Sequence, residues 1–331
     1  MLTLPLMLFI VLLELCVGQF TVMYLLDWRH SVKRSFLILY AFIYLFLTGL
    51  TYLFQRGFST PELLNSFTLL DHTWTPYLAL PVLLFLLLLL PYTLFLLLDK
   101  KAGIANDGSK PVQDTPSEEP RVNILYILRM ISGGLAVLAG LSALFVLGMI
   151  YRPMGGADPG GALAVAGFFA SALALGGVMT AMWLGHWYLV TPAMTEKPLL
   201  FSTTLVLLGV LLEVIFFLAT GAHIVPLRAS SQSTPAIIAS ATPRPASGAT
   251  PAATVTTKPS DVPTVTPLSP DAIGWLRLLV GFAVPLLLGS LAWKLVRDRS
   301  FQSATGMLYL IVVFTLAGEI MARGLFLIGL Q

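Results

Sequence analysis

Four ionisable side chains stand out inside the long apolar runs of this sequence: Glu14, Glu213, Glu319 and Arg323. On the insertion scale, a charge at the centre of a membrane helix costs about 2.5–3.5 kcal/mol, so such residues are functional by default. A carboxyl group in apolar surroundings can exchange protons near neutral pH. The pattern therefore predicts proton handling beside a bound molecule. The alternative is a set of protonated acids and ion pairs that only join helices.

Further polar residues near the ends of the runs extend this set. Arg277 and Arg323 lie toward the outer ends of the seventh and eighth runs, and His72 and His223 border the third and sixth. Together they predict a polar pocket that opens outward. Glu319 precedes Arg323 by four residues, which is the favourable order for an ion pair along one helix face. A purely structural pair remains the alternative for these two.

A different chemistry, haem ligation, depends on His186, which lies among the aromatic residues Trp183, Trp187 and Tyr188. Such aromatic residues are typical of a membrane interface. A haem held by two histidines needs a second one inside the membrane, and the other three lie in loops or at helix ends. We expect His186 to be a packed, hydrogen-bonded side chain, and we expect neither haem nor metal. The single cysteine, Cys16, excludes a cysteine-based metal or iron–sulfur site within the chain.

The apolar runs themselves predict the fold class. Hydrophobic residues make up 57% of the 331 residues and charged residues 11%, against roughly 25% charged residues in soluble domains. Backbone polar groups in lipid must be satisfied within each segment, and these runs are too long and continuous for barrel strands. We therefore predict an all-α bundle of eight transmembrane helices. The runs are 2–26, 35–54, 77–98, 122–151, 161–190, 199–221, 273–296 and 305–330.

The sequence divides at one long polar stretch. Residues 1–222 hold the first six runs, residues 223–271 form a loop rich in Pro, Thr and Ser, and residues 272–331 hold the last two. The loop composition cannot bury a core, so the loop is expected to be disordered and to face outward. Sugar attachment to this loop is an open compositional possibility. No second folded domain is expected.

Basic residues predict the orientation. With eight spans, one side of the membrane receives most of the basic residues in the short loops, and that side is cytoplasmic by the positive-inside rule. Both termini then face outward from a multi-pass protein of the plasma membrane. The basic residues flank apolar runs rather than forming one surface, so nucleic acid is not an expected partner. Those on the cytoplasmic side are Arg29, Lys33, Arg34, Lys100, Lys101, Lys110, Arg121, Lys197, Lys294, Arg297 and Arg299.

Three segments resemble a known family. The last helix reads FTLAGEIMARGLFLIGL (314–330), with a Gly-Glu pair followed by Arg-Gly and an aromatic residue. The first run contains LPLMLFIVLLELCVGQF (4–20), and the seventh begins with the Trp-Arg pattern of GWLRLLVGFAVPLLLG (274–289). These segments are similar to the membrane-anchor subunit of bacterial dimethyl sulfoxide reductase, and more distantly to polysulfide and nitrite reductase anchors. Residues 59–76 have no clear counterpart in that family.

The resemblance implies a function. Anchors of this family have eight helices with both termini outside, lack haem, bind a quinone on the outer side and pass electrons to an iron–sulfur subunit beside a molybdopterin catalytic subunit. Glu319 and Arg323 match the Glu and Arg of the family's terminal motif. The expected quinone and proton site consists of Glu14, His72, Glu213, Arg277, Glu319 and Arg323.

Two other functions stay open. Intramembrane carboxylates and helix-breaking Pro and Gly are also typical of an ion-coupled transporter. The chain could instead be a structural or assembly protein without chemistry of its own. None of the short catalytic motifs HExxH, P-loop, GxSxG or CxxC is present. The chain is therefore expected to be at most a non-catalytic subunit of an enzyme.

Overall fold

The computed structural model describes residues 3–100, 102–103, 124–155, 161–191, 194–219 and 275–328. These residues form an all-helical bundle. The predicted Pro/Thr/Ser-rich loop, residues 223–271, and His223 within it lie outside the described residues.

Eight of the described helices are long and apolar enough to cross a membrane, which confirms the predicted number. A one-turn helix, α3, lies between the second and third of them. The helices are α1 (Thr3–Trp28), α2 (Arg34–Phe58), α3 (Pro61–Leu64), α4 (Ala79–Leu98), α5 (Ile124–Tyr151), α6 (Ala162–Val190), α7 (Lys197–Ala219), α8 (Trp275–Arg297) and α9 (Phe301–Ile328).

Successive long helices run in opposite directions, so the bundle has two ends. We call the end where α1 stops and α2 starts the basic end, because Arg29, Lys33 and Arg34 lie there. The start of α1 and the finish of α9 lie at the opposite end. Two single-turn 3₁₀ segments, Thr75–Tyr77 and Arg152–Met154, also lie at that opposite end.

The centre of the bundle is α1. In its most apolar stretch 83% of the residues are buried, against 33% to 56% in the other seven spans. The helix α6, which is rich in small residues, packs beside α1, and a Cβ atom on Gly18 or Gly176 would overlap the backbone of the other helix. Small residues permit this close approach, as expected in membranes, but they do not identify which of the two helices is enclosed.

The helix α8 is distorted near its start. Residues Leu278–Ala283 form a π-helical segment immediately before Pro285. Proline lacks the N–H that the carbonyl of Gly281 would accept in an α-helix, and a wider turn accommodates this loss. In the same segment the backbones of Gly281 and Gly318 touch, so a Cβ on Gly318 would overlap Gly281. The predicted kink at the proline is therefore a local widening that precedes it.

Candidate functional site: a buried acid–arginine cluster

Five of the predicted site residues meet inside the bundle. They come from four helices, and we call them the acid–arginine cluster: Glu14 on α1, Glu213 on α7, Arg277 on α8, and Glu319 and Arg323 on α9. Glu14 is fully buried, and the other two glutamates and Arg323 are between 4% and 9% exposed. A hydropathy pattern predicts that such residues are buried, but it does not show that they converge.

Arg323 is the best-connected member of the cluster. Its guanidinium donates through both Nη2 and Nε to the Glu14 carboxylate, with the Nε–Oε2 distance at 3.4 Å. Nη2 also donates to Ser171 Oγ on α6 at 2.9 Å. The ring of Phe168 lies 4.2 Å from the guanidinium carbon. Arg323 thus joins α1, α6 and α9 in the middle of the bundle.

The predicted pair within α9 is present but secondary. Arg323 Nε and Glu319 Oε2 are 3.8 Å apart, longer than the contacts between Arg323 and Glu14. The arginine side chain turns toward α1 because a fully buried carboxylate there needs a positive partner more than one at the cluster edge does. The favoured helix spacing is therefore correct, while the stronger partner lies on another helix.

Glu213 and Glu319 form the other half of the cluster. Their carboxyl groups lie close enough for a hydrogen bond between the side chains. Arg277 adds a positive charge near both of them. Its guanidinium also faces two aromatic rings, those of Phe217 at 5.2 Å and Phe282 at 5.5 Å. A pair of neighbouring carboxyl groups cannot both ionise cheaply, so this arrangement favours one shared proton.

Several polar atoms of this half have no partner. Glu213 Oε1, Glu319 Oε2 and Arg277 Nε are buried and form no hydrogen bond with any residue that the structure describes. The cluster holds three carboxyl groups and two guanidinium groups, so it carries one negative charge when all five are ionised. Binding one proton makes it neutral. The site can therefore take up a proton, and it can also offer polar atoms to a ligand.

The Arg277 side of the cluster reaches the surface of the bundle. Arg277 is half-buried between α7 and α8, whereas Trp275 two residues earlier is 58% exposed. Phe217 is half-buried beside it. Aromatic side chains that are exposed or half-buried thus lie next to the charged group of Arg277 at the edge of the bundle.

The two described histidines of the site prediction lie elsewhere. His72 belongs to the loop between α3 and α4 and donates from Nε2 to the Phe67 carbonyl at 2.9 Å. The adjacent Asp71 has its pKa held below the usual range, because the Thr73 hydroxyl donates to it. The contacts described for His72 are within its own loop and do not include the cluster, so the structure does not bring this residue together with the other five. The physical reason is that α2 extends to Phe58 and the loop then folds on itself through α3.

His186 is exposed near the basic end of α6. Its Nδ1 atom lies 3.1 Å from the Tyr309 hydroxyl on α9, and the two form a hydrogen bond. The hydrogen bond agrees with the expectation for this histidine, whereas its exposure differs from the expected packing. Across the described residues, no three His, Cys, Asp or Glu side chains gather in a way that would hold a metal ion.

A second charged network lies at the basic end, and sequence reasoning missed it. Arg129 of α5 is fully buried and pairs with Asp27 at 3.2 Å and with Asp99 at 2.8 Å. Tyr92 donates to the second oxygen of Asp27 at 3.0 Å. Arg34 donates to the carbonyl oxygens of Leu97 and Asp99, at 2.7 and 3.0 Å. The available signal was Arg129 itself, an arginine well inside an apolar run.

An exposed ion pair also lies at the basic end. Arg299 donates to Glu196 at 2.7 Å, and this hydrogen bond holds the pKa of Glu196 below its ordinary value. The pair joins the loop before α7 to the turn before α9. Its side chains are 66% and 31% exposed, in contrast to those of the buried network.

Comparison with known proteins adds no family to this geometry. No protein-family model, curated protein or solved structure matches the chain. The likeness to dimethyl sulfoxide reductase anchors remains a prediction from three helices.

Proposed function

We propose that the acid–arginine cluster is a quinone and proton site in the outer half of a membrane subunit, and that this subunit exchanges electrons with an iron–sulfur partner. The observation that carries the proposal is the set of buried polar atoms without hydrogen-bond partners on Glu213, Glu319 and Arg277, beside the aromatic rings of Phe217 and Phe282. A quinone needs a hydrogen-bond partner at its carbonyl oxygens, a group that exchanges protons, and apolar surroundings for its ring. The carboxyl and guanidinium groups would supply the first two, and the aromatic rings the third.

Each residue has a defined part in this proposal. Arg277, with an unpaired Nε, would donate to a carbonyl oxygen, and the rings of Phe217 and Phe282 would pack against the head group. Glu213 and Glu319 would hold and release the proton, because they lie close together and share too little positive charge to ionise together. A bound quinone supplies two-electron, two-proton redox chemistry. Arg323 positions Glu14 and Glu319 without an unpaired atom of its own among the described contacts.

A quinone-site inhibitor tests this proposal. Purified protein, with any co-purifying partner retained, is titrated with the inhibitor in lipid nanodiscs. Arg277→Gln and Glu213→Gln are expected to weaken binding about tenfold or more, because a hydrogen bond to a charged group contributes about 1.5–3 kcal/mol. Glu62→Gln is the matched control, since Glu62 is an acid outside the membrane spans. Absence of specific inhibitor binding, together with absence of an iron–sulfur partner, would contradict the proposal.

Ion-coupled transport is the second candidate, and one observation favours it. The paired carboxyl groups of Glu213 and Glu319 can hold a proton or a small cation within the bundle. Uptake into liposomes that follows a proton gradient and disappears in Glu213→Gln would support transport over quinone chemistry. If replacing Glu14, Glu213 and Glu319 with Gln changes the stability of the protein but neither inhibitor binding nor transport, the chain is a structural protein.

A further inference from the structure

Most threonine hydroxyls in the long helices are hydrogen-bonded to the backbone of their own helix, but three are not. Of the nine threonines there whose side chains the structure describes, six donate to the carbonyl four residues earlier, as hydroxyls in apolar helices usually do. These six are Thr21, Thr51, Thr93, Thr203, Thr204 and Thr305. Thr48, Thr180 and Thr315 are buried, yet their hydroxyls form no hydrogen bond with the described chain. Their side chains therefore point away from the backbone acceptor that the others use.

Two more buried polar atoms without a hydrogen bond of normal geometry accompany the exceptional threonines. These are the Tyr44 hydroxyl and Gln19 Oε1, which lack such a bond within the described part of the chain. The Tyr44 and Thr180 hydroxyls are close enough for an electrostatic interaction with each other, although they do not meet the geometry of a hydrogen bond. The same holds for the Thr48 hydroxyl and the Cys16 thiol, which is 3.4 Å from Thr51 Oγ1. Gln19 is on α1, one turn beyond Cys16.

These atoms occupy neighbouring depths. At 1.5 Å per residue, Gln19, Tyr44 and Thr180 lie about 15 Å from the basic end of their helices, and Cys16 lies about 18 Å from that end. Glu14 of the acid–arginine cluster is two residues beyond Cys16. We call Gln19, Tyr44, Thr48 and Thr180, with Cys16, the polar column. It occupies the core where α1, α2 and α6 meet, on the basic side of the cluster.

Polar side chains continue from the column toward the basic end. The Tyr40 ring lies one turn from Tyr44 toward the basic end, with 6.2 Å between ring centroids, and Tyr309 of α9 lies in the surroundings of Tyr40. Tyr309 is hydrogen-bonded to the exposed His186. Hydroxyl and imidazole groups thus extend from an exposed residue to the column.

We propose that the polar column binds water, and that this water gives the acid–arginine cluster proton access from the basic, cytoplasmic side. A buried polar group without a partner is costly in a membrane, and buried water commonly satisfies such groups. Four unpaired atoms from three helices supply the two to four partners that one or more waters need. The cluster and the column are separate sites. The cluster includes residues of α7 and α8, and neither of these helices contributes a residue to the column.

Proton transfer along this column conserves charge and atoms. Each water accepts a proton on its oxygen from the cytoplasmic side and releases another proton to the next oxygen. The last O–H bond forms on a cluster carboxylate. The groups that face this carboxylate end are Glu14, Glu213, Glu319, Arg277 and Arg323. The inference rests on the proposed function for the use of the proton, but the water site itself does not.

The single cysteine offers a direct probe. Because the chain has one thiol, the infrared S–H stretch reports only on Cys16 at the centre of the column. The full-length protein in lipid nanodiscs is transferred into D₂O, and the S–H to S–D exchange is followed beside the backbone amide exchange. We expect the thiol to exchange much faster than the buried amides of α1.

Variants identify the water partners. Tyr44→Phe combined with Thr180→Val keeps the side-chain sizes and removes two of the hydroxyls, and should slow thiol exchange about tenfold, the ratio that corresponds to 1.4 kcal/mol. Thr203→Val is the matched control, because the buried Thr203 hydroxyl is already bonded to its own helix. It should leave the rate unchanged.

Either of two results overturns the proposal. One is a wild-type thiol that exchanges as slowly as the buried amides, which would show a dry core. The other is an unchanged rate in the double variant. The wild-type measurement needs no variant to fold. Because no quinone is present, failure here leaves inhibitor binding untouched, and failure of inhibitor binding leaves the water site standing.

Discussion

At the scale of residues, the two buried arginines have different surroundings. Arg129 forms ion pairs with both Asp27 and Asp99, and Tyr92 donates to the second oxygen of Asp27. In the acid–arginine cluster Glu14 and Glu319 are paired with Arg323, whereas Glu213 forms no ion pair with the residues that the structure describes. Buried atoms without hydrogen bonds occur in both networks, so the difference between them is the additional carboxyl group of Glu213, which can accept a proton.

Removing the Arg129 guanidinium should be strongly destabilising. Arg129→Met removes the guanidinium that Asp27 and Asp99 share, and the loss of one partner from a buried ion pair costs about 3–5 kcal/mol. The measurement is the free energy of unfolding of the purified protein in mixed micelles. The unfolding free energy is expected to fall because the variant removes only the arginine and keeps both buried aspartates.

A second arginine provides the control for this change. Arg299→Met breaks the exposed pair with Glu196, and exposed pairs contribute little because water screens them. Equal losses of unfolding free energy in the two variants would show that the Arg129 network stabilises the fold no more than an exposed ion pair does.

At the scale of helices, the close contact between α1 and α6 determines how the bundle centre packs. Gly176→Val would place a branched side chain against the backbone of Gly18, so α1 and α6 must separate. We expect a loss of about 1–3 kcal/mol in unfolding free energy, the usual cost of overpacking. Thermal or denaturant unfolding in micelles measures it.

The same helix supplies a control glycine. A Cβ on Gly167 of α6 meets nothing within 4 Å, so Gly167→Ala should be neutral or slightly stabilising, since alanine favours helix. If Gly176→Val unfolds no more easily than Gly167→Ala, the described packing of α1 on α6 is incorrect.

The sequence predicts the helices better than their ends or their contacts. Apolar runs locate all eight spans because the membrane selects for length and hydropathy. The start of α9 at Phe301, rather than at 305, was missed because Gln302 and Ser303 are polar yet lie in its first turn. The Glu319–Arg323 pair was predictable because both residues are on one helix. The Glu14–Arg323 pair was not, because hydropathy does not indicate which faces of two helices meet.

At the scale of the whole molecule, the orientation in the membrane is still a prediction from basic residues. Single cysteines can test it in a Cys16→Ser background. Ser66→Cys lies in the loop after α3, and Asp298→Cys lies in the turn between α8 and α9. A membrane-impermeant maleimide should label Ser66→Cys in intact cells and Asp298→Cys only after permeabilisation. The reverse pattern would invert the bundle and place the cluster toward the cytoplasm.

The two charged networks and the polar column lie at successive depths in the bundle. The Arg129 network fixes the basic end, the column occupies the middle, and the acid–arginine cluster lies beyond it, with Arg277 beside the exposed Trp275. If both proposals hold, protons and an apolar ligand would reach the cluster from different directions.

A photoreactive quinone analogue tests the central claim most directly. Purified protein in nanodiscs is irradiated with the analogue, and labelled peptides are identified by mass spectrometry with and without excess unlabelled quinone. We predict labelling of α7 and α8 around Phe217 and Arg277, competed by unlabelled quinone and lost in Arg277→Gln. Labelling spread over the exposed faces of the bundle, unaffected by competition or by Arg277→Gln, would contradict the account.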